Sequence, residues 1–391
     1  MTNRARQVLN AATALAVGAA VWLPILHLTL GPDTADYFAD GEIPPSAGML
    51  AARHIDMWKG RDAAELERMR LTNPEWDFMG RTFLVMALAN MALRDPSSKD
   101  EVMPIMDLVI DDTLRLEREE GMHYFLLPYA RSRRFEIDPP RSLFVDGEIA
   151  LMLAHRIVVA DRPDHRALLA ERVQIMSERM RRSPVVSAES YPDECWTFCN
   201  TAALAAIRMA DVLDGTDHSD LLEKWVETAK KKLVHPETGL LVSSYTLAGA
   251  HLDGPEGSSI WMASHCLGIV DQAFARDQYR RARKEIGGDL LGFGYSREWP
   301  RSWVGPQDVD SGPVIPILGA SPGASGLALL GAATFDDRDF LTALLASLHA
   351  AAFPSVEHGG LRFKASNQVG DAVLFYATMQ GPVWKRMGGS R

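Results

Sequence analysis

The chain has 391 residues, of which 47% are hydrophobic and 24% are charged, so it can bury a sizeable core. Acidic residues outnumber basic ones by 51 to 41, which gives a formal net charge of −10 with the two signs well mixed along the chain. Binding of a polyphosphate needs a concentrated basic surface, so the composition argues against a nucleic-acid partner.

The N-terminus carries an apolar segment. Arg4 and Arg6 precede a hydrophobic run from Val8 to Leu30, and a helix of that length spans the roughly 30 Å hydrocarbon core of a bilayer. The two arginines favour an inside N-terminus, which places the remaining chain on the outer or periplasmic face. We therefore predict an uncleaved membrane anchor at residues 1–30, followed by one catalytic domain at 31–391. A cleaved signal peptide that leads to export and a buried core helix are the alternatives.

In the rest of the chain, the spacing of apolar residues predicts successive helices and few strands. Ten to twelve helices in antiparallel pairs predict an all-α toroid or, as the alternative, a superhelical stack of helical hairpins. No fixed-period repeat is visible, which disfavours the stack. Apolar residues at helical spacing cover Phe78–Leu93, Val102–Leu116, Leu143–Val159, Leu168–Met180, Trp196–Leu213, Leu221–Leu233, Ile260–Phe274, Leu327–Ala333, Phe340–Ala352 and Ala372–Trp384.

Short hairpin arms are predicted at Leu240–Tyr245 and Gly360–Phe363. In a toroid, the loops between paired helices gather at one rim around a central cavity, so the long irregular segments are candidates for the functional site. These segments are Gly121–Pro140, Ser183–Glu194, Ala248–Ser259 and Gly288–Pro313.

One of these loops leads into the segment Tyr191–Asn200, which is dense in reactive groups. Within ten residues it offers a phenol, two carboxylates, an indole, two thiols and an amide. A capped core helix is the alternative interpretation, because proline and acids favour a helix start and cysteines are often buried as small hydrophobes. The density at a loop–helix junction favours a functional site.

The cysteines predict neither a disulfide framework nor a metal centre. There are three of them, Cys195, Cys199 and Cys266, which is an odd number and small for a chain of this length. A structural metal site needs more soft ligands at close spacing than the Cys195–Cys199 pair offers.

From about Asn73 onward, a series of segments follows an order and spacing shared with a known family. The segments are Asn73-Pro74, the helix end at Asp95-Pro96, Asp193 leading to Cys199-Asn200, Leu213–Asp217, the helix of Trp225, Leu233–Gly239 running on to Ser244-Tyr245, Asp271–Phe274, Pro354–Val356 and Leu361–Phe363. In these segments the chain resembles the linalool dehydratase/isomerase family.

The resemblance implies an (α/α)6 barrel that assembles as a ring of subunits, with active sites near the subunit contacts. It also implies acid–base chemistry without a cofactor on a small apolar alcohol of the monoterpene type. Cys199 stands where the family has a catalytic cysteine. The family's second catalytic cysteine falls at Ser190, its active-site histidine at Glu148, and its N-terminal catalytic aspartate corresponds to Asp56.

Dehydration of a tertiary or allylic alcohol needs a proton for the departing hydroxyl and a base for the resulting cation. A buried carboxylic acid can supply the proton near neutral pH, so Glu148 is the predicted acid, and Asp193 or Cys199 is the predicted base or relay. Aromatic ring faces can stabilise the cation. The predicted substrate-binding residues are Tyr191, Trp196, Ser190, Asn200, Tyr245, Trp261 and His123, with His123 at the cavity mouth.

Two other functions fit the same features. Helical toroids also house glycosidases and polysaccharide lyases, in which two carboxylates flank the sugar; here Asp193 and Glu148 would form the pair. The serine at 190 and the glutamate at 148 are also consistent with a membrane-tethered helical scaffold without catalytic activity.

Overall fold

A computed structural model describes residues 3–30, 34–38, 41–61, 63–307 and 311–389. The described helices are α1 Asn3–Leu30, α2 Pro45–Trp58, α3 Ala63–Thr72, α4 Pro74–Arg94, α5 Lys99–Glu120, α6 Leu143–Val159, α7 Pro163–Arg182, α8 Thr197–Asp214, α9 Ser219–Lys232, α10 Gly257–Leu267, α11 Gln272–Glu285, α12 Pro322–Thr334, α13 Arg338–Ala351, α14 Gln368–Met379 and α15 Pro382–Arg386. The strands are β1 Cys195–Trp196, β2 Ser244–Tyr245, β3 His251–Asp253, β4 Gly287–Leu290, β5 Phe293–Ser296, β6 Pro354–Glu357 and β7 Gly360–Phe363.

Six helices form a closed inner ring. In chain order they are α4, α6, α8, α10, α12 and α14; each packs against the next, and α14 closes the ring on α4. The helices between them lie outside: α5, α7, α11 and α13 pack on their inner neighbours, and α2 packs on α14. The predicted (α/α)6 barrel is confirmed.

The sequence explains which helices lie inside. On α6, all residues but one from Leu143 to Val159 are buried, because the helix is apolar around its whole circumference. Outer helices such as α11 bury one stripe, represented by Phe274 and Tyr279, and expose a charged face.

The two ends of the barrel differ in their connections. Each inner helix is followed by a short link to its outer neighbour, whereas the return segments are long and carry all three described sheets. Because the inner helices run in parallel, these long segments gather at the N-terminal end of the ring, as predicted. There β1 pairs with β2 and β2 with β3, while β4–β5 and β6–β7 are two separate antiparallel hairpins.

Some predicted boundaries are wrong. The predicted helix Ile260–Phe274 joins the end of α10 to the start of α11; the real break is at Asp271, whose side chain caps α11 by accepting from the Phe274 N–H at 2.9 Å. The predicted helix Ala372–Trp384 ignores a break at Gly381, where φ is +121°. The β4–β5 hairpin was missed.

Helix α1 has no buried residue, as is also true of the polar helix α3, but α1 is long and apolar. It is the one described helix that is long and apolar enough to cross a membrane, with a mean hydropathy of 1.8 over its best window. Its length and composition fit a signal sequence as well as a segment that crosses a membrane.

Candidate functional site

Glu148 lies on the inner helix α6 and is only 2% exposed. Its carboxyl group shares a hydrogen bond with the Thr82 side chain of α4, while its Oε1 has no hydrogen-bond partner among the described residues. Burial raises the pKa of Glu148 to about 7, because the surrounding helices exclude the water that would solvate a charge. The side chain is therefore a carboxylic acid that can hold or release a proton near neutral pH.

Cys199 lies in the first turn of α8 and faces the same centre. Its thiol shares a hydrogen bond with the Ser190 side chain. Burial raises its pKa far above the ordinary value, and the negative charges of Glu148 and Glu75 add to that shift. The thiol is therefore protonated at neutral pH and acts as a weak donor, not as a thiolate nucleophile.

Cys266 of α10 also lies near Glu148. Burial raises the pKa of its thiol, and the charge of Glu148 raises it further. We call Thr82, Glu148, Ser190, Cys199 and Cys266 the Glu148 cluster. These five buried polar side chains come from α4, α6, α8, α10 and the loop before α8.

Glu75, in the first turn of α4, is the acidic partner that the sequence analysis missed. The Tyr191 hydroxyl donates to Glu75 Oε1 and accepts from the Leu127 N–H at 2.9 Å. Burial and the charge of Glu75 raise the pKa of Tyr191 above its usual range. In the sequence, an acid after Asn73-Pro74 looks only like a complement to the helix dipole, so nothing pointed to this contact.

An aromatic and acidic rim lies next to the Tyr191–Glu75 pair. The ring of Tyr129 stacks on that of Tyr191, with centroids 4.4 Å apart and planes 14° apart. The Tyr129 hydroxyl donates to Glu194 Oε2 at 3.1 Å, and Trp196 Nε1 lies 3.5 Å from the same oxygen. Burial raises the pKa of Glu194. Tyr129 is 42% exposed, so this rim connects the buried pair to the surface.

The loop before α8 is held by side-chain contacts to its own backbone. Glu189 accepts N–H bonds from Glu136, Ile137 and Asp193 at 2.9–3.0 Å. Asn200 accepts from the Ala188 N–H at 3.0 Å and donates to the Ala188 carbonyl at 3.1 Å. These contacts fix the loop, and with it Ser190 and Tyr191.

Asp193, the predicted base, also has a role in this loop. Its backbone adopts φ +56°, and its Oδ1 accepts from the Leu247 N–H at 3.1 Å. Cys195 points towards the outer layer, where the charges of Glu189 and Arg179 act on its thiol. Neither side chain belongs to the Glu148 cluster.

Three other predicted residues lie elsewhere in the barrel. Asp56 is on the outer helix α2, where it pairs with Arg61 at 2.8 Å. Trp261 is fully buried with its ring against Tyr279 and Phe340 of outer helices, so it faces away from the centre. Tyr245 is fully buried and its hydroxyl is bonded to Ser187 at 2.8 Å. The family resemblance singled out Asp56, and their residue type singled out Trp261 and Tyr245, but neither says which way a side chain points.

His123 lies at an outer cleft and not at the mouth of the centre. Burial and the nearby Arg131 lower its pKa. It lines a cleft of about 550 Å³ between α5 and α7, together with charged residues such as Arg118 and Arg141. Among the described residues, no group of three His, Cys, Asp or Glu side chains is placed to hold a metal ion.

Comparison with known proteins gives two findings. The model of the linalool dehydratase/isomerase family matches residues 167–369, which is more than half of the chain. Among solved structures, an unsaturated glucuronyl hydrolase from Bacillus sp. GL1 has a TM-score of 0.50 at 12% identity, covering 76% of this chain and 84% of that one. A UGL variant described with the saccharide dGlcA-Glc-Rha-Glc has a TM-score of 0.51 at 11% identity, with the same coverage. At such identities, the likeness to solved structures shows the fold alone.

Proposed function

The chain belongs to the linalool dehydratase/isomerase family, and from that premise we propose that it dehydrates or isomerises a small apolar alcohol without a cofactor. The substrate class is a tertiary or allylic alcohol of the isoprenoid type. The observation that carries the proposal is Glu148, a carboxyl group at the centre of the barrel whose pKa lies near 7 and whose Oε1 has no partner among the described residues. Such a group can donate a proton to a bound hydroxyl at neutral pH.

In the first step, Glu148 donates its proton to the substrate hydroxyl while the C–O bond breaks with its electron pair. Water leaves, an allylic or tertiary cation remains, and Glu148 becomes a carboxylate. The thiol of Cys199, which stays protonated next to Glu148, can donate a weak hydrogen bond to the departing oxygen. Burial disfavours the formation of charge, but the cation and the Glu148 carboxylate attract each other strongly in these surroundings, which offsets part of that cost.

In the second step, a base removes a proton from the carbon next to the cation, and the C–H electron pair forms the alkene. We assign this role to Glu75, which Tyr191 holds in place through its hydroxyl. If water instead adds to the other end of the allylic cation and gives one proton back to the Glu148 carboxylate, the product is the isomeric alcohol. The stacked rings of Tyr129 and Tyr191 offer π faces to the cation, an effect of about 1–2 kcal/mol when desolvated.

We also propose that α1 is retained as a membrane anchor with the barrel on the outer face, and that the chain forms a ring of identical subunits. The exposed, apolar α1 and the arginines at positions 4 and 6 support the anchor. Fully exposed apolar side chains on loops at the N-terminal end of the barrel support a covered surface there; Ile317 and Val304 are 102% and 91% exposed.

A carbohydrate substrate is the second candidate, favoured by the rim. Sugar-cleaving sites combine aromatic platforms with two carboxyl groups, and here Glu75 and Glu194 flank the stacked pair of Tyr129 and Tyr191. Under this alternative, the rim would hold the sugar and the Glu148 cluster would lie beneath it.

A substrate screen with the full chain in detergent under reducing conditions tests both candidates. Monoterpene alcohols and smaller alkenols are incubated with the protein, and alkenes and isomeric alcohols are measured by gas chromatography. We expect conversion of at least one tertiary or allylic alcohol, and its loss in the Glu148→Gln variant. Release of sugar from a parallel panel of unsaturated and ordinary glycosides, with no conversion of any alcohol, would overturn the proposal in favour of the second candidate.

A further inference from the structure

The end of helix α1 contacts one loop of the barrel. His27 Nε2 donates to the backbone carbonyl of Leu291 at 2.8 Å, and the His27 ring lies against Phe293 with centroids 4.6 Å apart. A Cβ atom at Gly292 would come within 2.7 Å of the His27 ring, so only glycine permits this approach. Helix α1 also packs on α13, which lies beside β5. The tip of the β4–β5 hairpin therefore lies where α1 meets the barrel.

The residues at this tip are unusual for a turn in water. Leu290 pairs with Phe293, so Leu291 and Gly292 form a two-residue connection, with φ +56° and +81°. Turns of this type favour Asn-Gly, because asparagine tolerates a positive φ and leucine does not. Yet Leu290 and Leu291 are 49% and 62% exposed. Leucine at this position therefore carries a conformational cost, while most of its side chain stays exposed among the described residues.

The level of the tip along α1 coincides with the expected edge of a bilayer. From Val8 to Leu26 the helix rises about 28 Å, close to the thickness of the hydrocarbon core. Trp22 is 63% exposed near the C-terminal end of this stretch, and tryptophan is enriched at the membrane–water interface. The polar ring of His27 follows one turn later. If α1 crosses the bilayer over this stretch, the hairpin tip, which contacts α1 at His27, lies at the outer interface.

We propose that the β4–β5 tip is a second membrane contact, in which Leu290 and Leu291 insert into the outer interfacial layer beside α1. The two leucines then meet lipid, which accounts for apolar side chains in a turn that favours polar ones. With the anchor and the tip both in the bilayer, the α13 side of the barrel faces the membrane. The proposal requires that α1 stays attached, but it does not depend on the reaction proposed above.

Fluorescence quenching in lipid vesicles tests this contact directly on the full chain. The three native cysteines are buried, so a Leu291→Cys variant takes a bimane label selectively at the tip. The matched control is Gln174→Cys, an exposed position on α7, across the ring from α13. With a doxyl-labelled lipid in the outer leaflet, we expect blue-shifted emission and strong quenching at position 291 and neither at 174. Equal quenching at the two positions, or loss of α1 from the mature chain by N-terminal sequencing, would overturn the proposal.

A second variant separates membrane contact from folding. Leu291→Asn suits the positive φ, so we expect an unchanged or higher thermal midpoint. A bimane label on Leu290→Cys should be quenched less by the doxyl lipid when Leu291→Asn is added, because the tip loses an apolar side chain. An unchanged quenching of that label would show that Leu291 does not hold the tip in the interface.

Discussion

Two buried clusters of titratable side chains lie in the inner ring, and their central groups, His265 and Glu148, differ in how completely their polar atoms are bonded. Towards the C-terminal ends of the inner helices, His265 bonds Thr334 Oγ1 and the Tyr376 hydroxyl, both at 2.7 Å, and its ring stacks on Trp384 with centroids 4.6 Å apart. Burial lowers the pKa of His265 to about 3, so the ring is neutral. Both nitrogens of this ring are satisfied, although Nε2 of the neighbouring His155, whose ring lies 5.6 Å from that of Trp384, has no hydrogen-bond partner among the described residues.

Glu148 is bonded less completely. Glu148 Oε1 has no partner within the part of the chain that the structure describes. A buried polar atom without a partner costs about 1–3 kcal/mol of stability. A substrate hydroxyl that bonds to Glu148 Oε1 would remove this cost. Burial and a shifted pKa are shared by His265 and Glu148, whereas the open bonding position on Glu148 Oε1 distinguishes this carboxyl group from the satisfied His265 ring.

The largest effect should follow from removing the acid. Glu148→Gln keeps the size of the side chain but cannot donate a proton from a carboxyl group, so we expect turnover of the alcohol substrate to fall by about 10²–10⁴-fold. Steady-state kinetics with gas-chromatographic detection measures the loss. The control lies in the other cluster: Tyr376→Phe should leave turnover nearly unchanged. Similar losses in both variants would mean that the two clusters do not differ in function.

Stability should respond to pH through the same carboxyl group. The pKa of Glu148 is raised from 4.5 to about 7 in the folded chain, so its contribution is fully present below pH 4.5 and is lost as the pH rises through 7. The difference corresponds to a cost on the order of 3 kcal/mol above pH 7. Glu148→Gln should therefore unfold at higher denaturant than the parent chain at pH 8 and at similar denaturant at pH 4. If the denaturant midpoints of the parent chain and of Glu148→Gln change with pH in the same way, the raised pKa of Glu148 is contradicted.

A smaller loss of activity is expected at the Tyr191–Glu75 pair. Tyr191→Phe keeps the ring that stacks on Tyr129 and removes the hydroxyl that donates to Glu75. A hydrogen bond to a charged group contributes about 1.5–3 kcal/mol, so kcat should fall by roughly 10–100-fold. Tyr129→Phe is the matched control, since it removes only the bond to Glu194. If Tyr129→Phe impairs turnover more than Tyr191→Phe does, the rim and not the pair is the reacting part, as in the carbohydrate alternative.

Much of the fold was predictable because periodicity reports burial. The mostly apolar pattern of α6 predicted its bounds, Leu143 to Val159, and the long irregular segments before α6, α8, α10 and α12 indicated the end where a site is built. The sequence also singled out Glu148 and Cys199, which the structure places near each other. Their proximity followed from the family resemblance, since nothing in the local pattern relates two side chains fifty-one positions apart.

The rest depends on contacts between distant segments. Glu75 and Tyr191 are 116 residues apart, and each has an ordinary local explanation: a first-turn acid and a loop tyrosine. The orientation of Trp261 depends on the bond of its indole N–H to Ser296 at 2.8 Å, in a hairpin that the sequence did not predict. Spacing along one helix indicates a buried position, but in a barrel with two layers it does not distinguish the central face from the face towards the outer helices.

The smallest effect concerns the bonded cluster itself. Tyr376→Phe deletes the hydroxyl 2.7 Å from His265 Nε2 and leaves the bond to Thr334 intact. We expect a loss of about 1–3 kcal/mol in the free energy of unfolding, because a buried ring nitrogen loses its partner. Denaturant unfolding at pH 7 measures this loss, and turnover measured on the same preparation should be preserved. A variant that folds as well as the parent chain but loses turnover would contradict this expectation. It would show that His265 takes part in catalysis although both of its ring nitrogens are hydrogen-bonded within the core.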